Sequence, residues 1–296
     1  MLTLDHVSKT YKTGAFGGTE LHAVRDVSFT VEPGEVVSVI GESGSGKSTI
    51  GRMILRLSHI TNGTISFQDT DVSTLRRGAL KDYYRNVQGV FQDPFSSYNP
   101  IFKADRVFSL LRREYFHELS NDAWRAKIHA ALEDVSLTPK DVLHKYPHQL
   151  SGGQLQRLLI ARALLLDIRF LVADEIISML DASTRIDVLN LLGDLKARGL
   201  GILFITHDLS LGNYISDTTL ILRRGRVVEM GDTSKVFGNP QHPYTTMLLY
   251  SVPQLHDRWH DTQPVAAAEE PIAEPDDPAA ASSLVEIEPG HLVAIG

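Results

Sequence analysis

The chain has 296 residues, a formal net charge of −7 and no cysteine, which describes a globular protein of one large or two small domains and excludes a disulfide framework or a thiolate-held metal or iron–sulfur site. No apolar run approaches the ~18 residues of a membrane span, and Met1–His6 lacks a basic segment followed by an apolar one, so a cytosolic chain is expected. Residues 261–296 hold eight acids and no Lys or Arg, so residues 1–260 sum to about +1, and no basic face for nucleic acid is expected.

The first elements read as strands. Leu2-Thr3-Leu4-Asp5-His6-Val7 and Val27-Ser28-Phe29-Thr30-Val31 alternate apolar and polar residues, and the second ends at the turn signal Glu32-Pro33-Gly34. Lys12–Gly18 reads as a loop. Tyr11, near the end of the first strand, suits either packing or stacking on an adenine ring. Glu35–Ile40 is a buried-strand run, followed by Gly41-Glu42-Ser43-Gly44-Ser45-Gly46-Lys47-Ser48-Thr49, the G-x-x-x-x-G-K-[ST] phosphate-loop pattern. Ile50, Met53, Ile54 and Leu57 then recur at helical spacing.

That strand–loop–helix context is what the motif requires. Gly41, Gly44 and Gly46 let the backbone curl with its N–H groups inward, and the helix presents its positive end to an anion. Lys47 suits the β- and γ-phosphates, and the Ser48 hydroxyl suits Mg²⁺. Further strands are predicted at Thr64–Phe67 and Val87–Phe91, the latter running into Gln92. Residues 95–150 change character: Trp124, Ile128, Leu132 and Val135 keep helical spacing behind Asn121 as N-cap, as in a helical insertion.

Leu150-Ser151-Gly152-Gly153-Gln154 opens another helix, and its Ser-Gly-Gly start serves either as a simple cap or as a second anion site. Phe170–Ala173 is an apolar strand ending in Asp174 and Glu175. Buried carboxylates are costly unless they serve a metal or water, which fits Asp174 to Mg²⁺ through water and Glu175 to an attacking water. Adjacent strand residues point to opposite faces, so the pair is not expected to flank one glycosidic bond. Ile202–Ile205 leads to His207, a ligand position at a parallel strand's carboxyl end or a surface-loop histidine. Leu220–Leu222 and Val227–Met230 read as a hairpin about Arg224-Gly225. One docked helix is expected over 236–255, a disordered Ala/Pro/Glu-rich linker over about 261–281, and a hairpin from Leu284–Ile287 and Leu292–Ile295 around Pro289-Gly290.

Taken in order, Tyr11, the phosphate loop, Gln92, Leu150–Gln154, Asp174-Glu175, Asp181 and His207 resemble the ATP-binding subunit of an ABC transporter over about residues 1–235. Phe91-Gln92-Asp93-Pro94-Phe95-Ser96-Ser97-Tyr98-Asn99-Pro100, Asn239-Pro240-Gln241-His242-Pro243-Tyr244-Thr245 and Glu288-Pro289-Gly290-His291 resemble the oligopeptide and dipeptide importer ATPases. The resemblance implies an α/β P-loop NTPase (RecA-like) core with an antiparallel β subdomain, a helical subdomain at about 95–155 and a C-terminal extension over 236–296. It implies ATP and Mg²⁺ as ligands. Tyr11 would stack adenine, and Gln92 would sense Mg²⁺ and water and link to the membrane subunit. Ser151, Gly152, Gly153 and Gln154 would close over a partner's nucleotide, with Asp181 communicating across the pair. Glu175 would polarise the water, and His207 would contact the γ-phosphate.

The implied partners are two membrane permease subunits, a second ATPase (a paralogue), and indirectly an extracellular solute-binding protein, at the cytoplasmic face of the membrane. A soluble ABC ATPase acting on ribosomes or DNA, and nickel or oligosaccharide importers, are the alternatives. This chain departs from the family at Ile176, where proline is usual. Without that ring a looser Glu175 loop is expected.

Overall fold

The computed structural model describes residues 1–13, 18–251 and 283–295. Its first strands are β1 (Leu2–Thr13) and β2 (Thr19–Val31), paired antiparallel with Leu2 opposite Val31. Lys12 thus belongs to a strand and not to the expected loop; residues 14–17 lie outside the described residues. β3 (Val36–Ile40) is buried at every position and feeds α1 (Lys47–Ile54). Ile50, Met53 and Ile54 line the core as their spacing predicts, but Leu57 lies beyond the helix and is 63% exposed. The chain turns at Arg56, whose backbone is left-handed at φ 53°, and this ends the helical period before Leu57.

β4 (Asn62–Phe67) and β5 (Thr70–Asp71) complete a four-stranded sheet in the order β2-β1-β4-β5. α2 (Arg77–Asn86) leads to β6 (Val87–Val90). The helical region then contributes α3 (Arg106–Tyr115), α4 (Asn121–Asp134), α5 (Pro139–Val142) and α6 (Gly152–Leu164). The N-cap of α4 is Ser120, not Asn121: the Ser120 hydroxyl accepts from Ala123 N–H, while Asn121 is turned to accept from Arg112 at 2.7 Å. Both residue types cap well, and the position with extended backbone, φ −60° and ψ 161°, falls to Ser120.

The rest of the chain is β7 (Phe170–Asp174), α7 (Ala182–Ala197), β8 (Gly201–Thr206), α8 (Leu209–Ile215), β9 (Thr218–Arg223), β10 (Arg226–Asp232), α9 (Thr233–Gly238), α10 (Pro243–Tyr250), β11 (Ser283–Glu288) and β12 (His291–Ile295). These strands form a second sheet in the order β11-β12-β10-β9-β3-β8-β7-β6, with the run β9-β3-β8-β7-β6 parallel. In β8, Ile202 and Phe204 join the core shared with α4, α6 and α7, while Leu203 and Ile205 join the core shared with α1 and the smaller sheet. Burial on both faces is why these strands are apolar throughout instead of alternating.

The expected single helix over 236–255 is two, α9 and α10, separated at Asn239-Pro240. Proline disfavours helix at the preceding residue, and Pro243 restarts one at its first turn. Residues 252–282, including Pro253 and the expected linker, lie outside the described residues. The predicted terminal hairpin forms, and β12 pairs with β10, so it extends the main sheet.

Candidate functional site

At the carboxyl ends of the parallel strands lies an open cleft of about 940 Å³, lined among others by Ser43, Ser48, Gln92, Asp174, Glu175 and His207. The phosphate loop forms one side. Two of its glycines are required by close approach: a Cβ on Gly41 would sit 2.1 Å from the Leu222 carbonyl oxygen, and one on Gly46, at φ 107°, 2.3 Å from that of Ala23. The loop is therefore seated against β9 and β2, leaving Ser43 and Gly44 exposed. Lys47 is 5% exposed, and its Nζ donates to the carbonyls of Gly41 and Glu42, each at 2.7 Å. Burial lowers its pKa, opposed by Glu175, Asp174 and Glu42. Thr49 continues α1 one residue beyond Ser48.

Ser48 Oγ donates to Asp174 Oδ1 at 3.0 Å. Asp174 is 7% exposed, and burial pushes its carboxyl up; the Ser48 hydrogen bond opposes that, and the Glu175 charge adds to it. Glu175 lies just past β7 in a left-handed conformation, φ 51°, and its Oε1 is 3.3 Å from His207 Nδ1. The strand alternation expected for Asp174 and Glu175 therefore fails: both carboxylates line one cleft, because the strand ends at Asp174 and the backbone reverses at Glu175. A non-glycine residue held at positive φ stores ~1–3 kcal/mol, which its surroundings must offset.

Those surroundings are well defined. Glu175 N–H donates to the Ile205 carbonyl at 2.9 Å, and the Ser178 hydroxyl donates to the Glu175 carbonyl at 2.9 Å. Ile176, the residue in proline's usual place, is 1% exposed within the main core. The side chain in proline's usual place is thus packed into the core beside the Glu175 turn.

The Ser-Gly-Gly segment sits elsewhere. Ser151 caps α6 by accepting from Gln154 N–H, and the Gln154 side chain accepts from Ser151 N–H. Neither residue, nor Gly152 or Gly153, lines the cleft. A Cβ on Gly153 would lie 2.6 Å from Thr184 Cγ2, and the Thr184 hydroxyl donates to Asp181 Oδ2 at 2.8 Å. The Ser-Gly-Gly segment thus abuts the residue that Asp181 holds. Asp181 caps α7, and hydrogen bonds from the Ser183 hydroxyl and then Thr184 keep its carboxyl far below the usual carboxylate range.

Tyr11 does not line the cleft either; its hydroxyl lies 3.3 Å from Ser58 Oγ, and the Lys9 ammonium sits 4.7 Å from its ring centroid. Arg52 does line the cleft and carries one of the charges acting on Asp174. It falls four residues after Ser48 on α1, a spacing that places both on one helix face and could have identified it. Asp93, Ser96 and Ser97 also line the cleft, within the stretch that begins at Gln92.

Residues 24–178 match the ABC transporter family profile, and residues 228–277 match the oligopeptide/dipeptide transporter C-terminal region. The chain is 40% identical over 280 residues to the glutathione import ATP-binding protein GsiA of Salmonella typhimurium, covering 93% of this chain and 44% of that protein. It thus spans less than half the length of that relative. It is 42% identical over 255 residues to an ATP-binding protein of Brucella ovis whose name assigns it provisionally to peptide import, covering 86% of this chain and 78% of that one. Among solved structures, a dimeric ATP-binding cassette in a post-hydrolysis state, bound to ADP and Pi, superposes with TM-score 0.70 at 30% identity, over 79% of this chain and 99% of the other. The chain belongs to the ABC transporter family.

Proposed function

We propose that this chain binds and hydrolyses ATP as the motor subunit of an importer of peptides or related small solutes. One observation carries the reading: a single cleft joins a phosphate loop, a hydroxyl–carboxylate pair and a carboxylate–imidazole pair. The peptide assignment is supported by the match of residues 228–277 and by the relatives named for glutathione and peptide import.

The chain's own groups suit phosphoryl transfer, which rests on positioning and charge stabilisation. The loop N–H groups and the start of α1 bind the phosphates, and Lys47, already stripped of water, places its ammonium between β and γ. The Ser48–Asp174 pair fits Mg²⁺: a desolvated carboxylate beside a hydroxyl is an oxygen donor set suited to a hard cation. Ser48 would hold the ion directly, and Asp174 and Gln92 through water. When bound, it supplies positive charge to the phosphate oxygens. Glu175 orients the attacking water and takes its proton as the new P–O bond forms and the β–γ bridge breaks. His207 holds Glu175 and reaches toward the γ-phosphate. Tyr11, outside the lining but hydrogen-bonded to Ser58 next to the lining Leu57, stacks an adenine that reaches out of the cleft.

Ser151, Gly152, Gly153 and Gln154, which do not line this cleft, serve the nucleotide of a second ATPase subunit, a paralogue, with Asp181 carrying the state of one site to the other. Two permease subunits receive the motion through the Gln92 stretch and the helical region at about 95–155, at the cytoplasmic face of the membrane. An extracellular solute-binding protein delivers cargo to them. No described helix is long and apolar enough to cross a membrane.

The test is reconstitution of the chain in proteoliposomes with candidate permeases, a second ATPase and a solute-binding protein from the same genome. ATP-dependent uptake of labelled glutathione, dipeptides or oligopeptides is expected. ATP hydrolysis with no uptake of any of these would refute the peptide assignment.

A further inference from the structure

Two motifs remain without a task in hydrolysis, Asn239–Thr245 and Glu288–His291. They meet on one buried carboxylate. Glu229 of β10 is 0% exposed, and its Oε1 and Oε2 accept the backbone N–H groups of Gln241 at 2.9 Å and His242 at 3.0 Å. His291, also 0% exposed, brings Nε2 to within 2.7 Å of Glu229 Oε1 from the first residue of β12. A buried carboxylate needs partners on this scale, so Glu229 ties the start of α10 to the terminal hairpin.

The connection continues to the phosphate loop. His242 Nδ1 accepts from Tyr244 N–H at 3.1 Å and caps α10, while Pro243 sets its first turn. Tyr244 is 1% exposed, and its ring packs with Ile40, Ile221 and Val236, with the Arg223 guanidinium 4.9 Å from the centroid. Its hydroxyl accepts the backbone N–H of Glu42 at 3.2 Å. That N–H belongs to the Gly41–Glu42 peptide, whose carbonyl accepts Lys47 Nζ at 2.7 Å. In a trans peptide the C=O and N–H point in opposite directions, so Tyr244 holds one end of the plane and Lys47 the other.

We propose that Tyr244 is a positioning residue of the nucleotide site, and that Glu229, His242 and His291 form a strut by which the C-terminal hairpin sets the orientation of the Gly41–Glu42 peptide and hence of Lys47. This gives the Asn239–Thr245 and Glu288–His291 motifs a common task, and it rests on the nucleotide-binding reading above. With the strut in place the loop is preorganised before ATP arrives. Without it, part of the binding energy goes to ordering the loop, which raises the dissociation constant.

The test uses the full chain, Mg-ATP titrated by calorimetry, and backbone amide exchange over residues 41–47. Tyr244→Phe removes one oxygen and leaves the ring in place. It is expected to weaken Mg-ATP binding about three- to tenfold, as one lost hydrogen bond would, and to speed exchange at Glu42, with a fall in melting temperature of no more than roughly 2–4 °C. Tyr250→Phe, on the same helix but 74% exposed, is the control and should bind as wild type does. His291→Ala should weaken binding similarly, and in the Tyr244→Phe background it should add little, since both act through one path. Tyr244→Phe affinity within about 1.5-fold of wild type would overturn the proposal, and full additivity of the two changes would overturn the strut. If wild type itself fails to bind Mg-ATP, the nucleotide reading fails instead.

Discussion

Lys47 shows how this site handles charge. Its ammonium is buried and donates to the Gly41 and Glu42 carbonyls, while the charges of Glu175, Asp174 and Glu42 oppose the fall in pKa that burial causes. Lys47→Ala would remove the cation proposed for the β/γ-phosphates; an interaction of ~3 kcal/mol corresponds to more than a hundredfold in rate. Turnover within about threefold of wild type would contradict the role given to Lys47. Asp174 is the opposite case, a buried carboxylate whose proton affinity rises on folding. Its ionised form therefore costs stability above the raised pKa, and that cost disappears as pH falls through it. Asp174→Asn should raise the melting temperature at pH 8, gain less as pH falls toward the ordinary carboxylate range, and abolish hydrolysis. A fall in melting temperature at pH 8 would count against the burial argument.

Among the elements, α6 illustrates a helix start with two tasks. Inside this chain Ser151 and Gln154 satisfy each other's backbone N–H groups. Ser151→Ala should cost ~1 kcal/mol of cap energy, a fall of roughly 2–4 °C in thermal melts. A fall of 10 °C would mean that the hydroxyl does more than cap. The same helix start abuts Thr184, which Asp181 holds at the head of α7. Two segments far apart in sequence, each given a role across a subunit pair, are thus mechanically joined within one subunit.

For the whole molecule the decisive geometry is what the cleft lacks: the Ser151–Gln154 segment does not line it. Head-to-tail pairing of two cassettes would bring a partner's segment over this cleft, with two positive helix ends gripping one nucleotide so that ATP joins the subunits. Glu175→Gln keeps the size and loses the carboxylate, so it should bind Mg-ATP and stall the closed pair. Adding Ser151→Arg should undo that closure by putting bulk where the partner's γ-phosphate must sit. Native mass spectrometry of the ATPase pair, with and without Mg-ATP, reads this directly. Closure unchanged by Ser151→Arg would refute the composite site on that side.

Local chemistry was legible in the sequence because it is contiguous. The phosphate loop, the Ser151 cap, the apolar runs of β3, β7 and β8 and the terminal hairpin each declare themselves within about a dozen residues, through backbone freedom, capping and burial on two sheet faces. Long-range pairing left no such trace. That Asp174 and Glu175 share one cleft depends on a left-handed turn at Glu175, which the surrounding core imposes on a residue that does not favour it. That Ile176 is buried beside the Glu175 turn depends on the core it enters. That Glu229 gathers Gln241, His242 and His291 across 62 residues, and that Tyr244 reaches Glu42 across 202, depends on β12 joining β10 and on α10 folding back over β3 and β9. Single hydrogen bonds between such distant residues impose no periodicity on the chain, so only the packed sheet decides where those side chains meet.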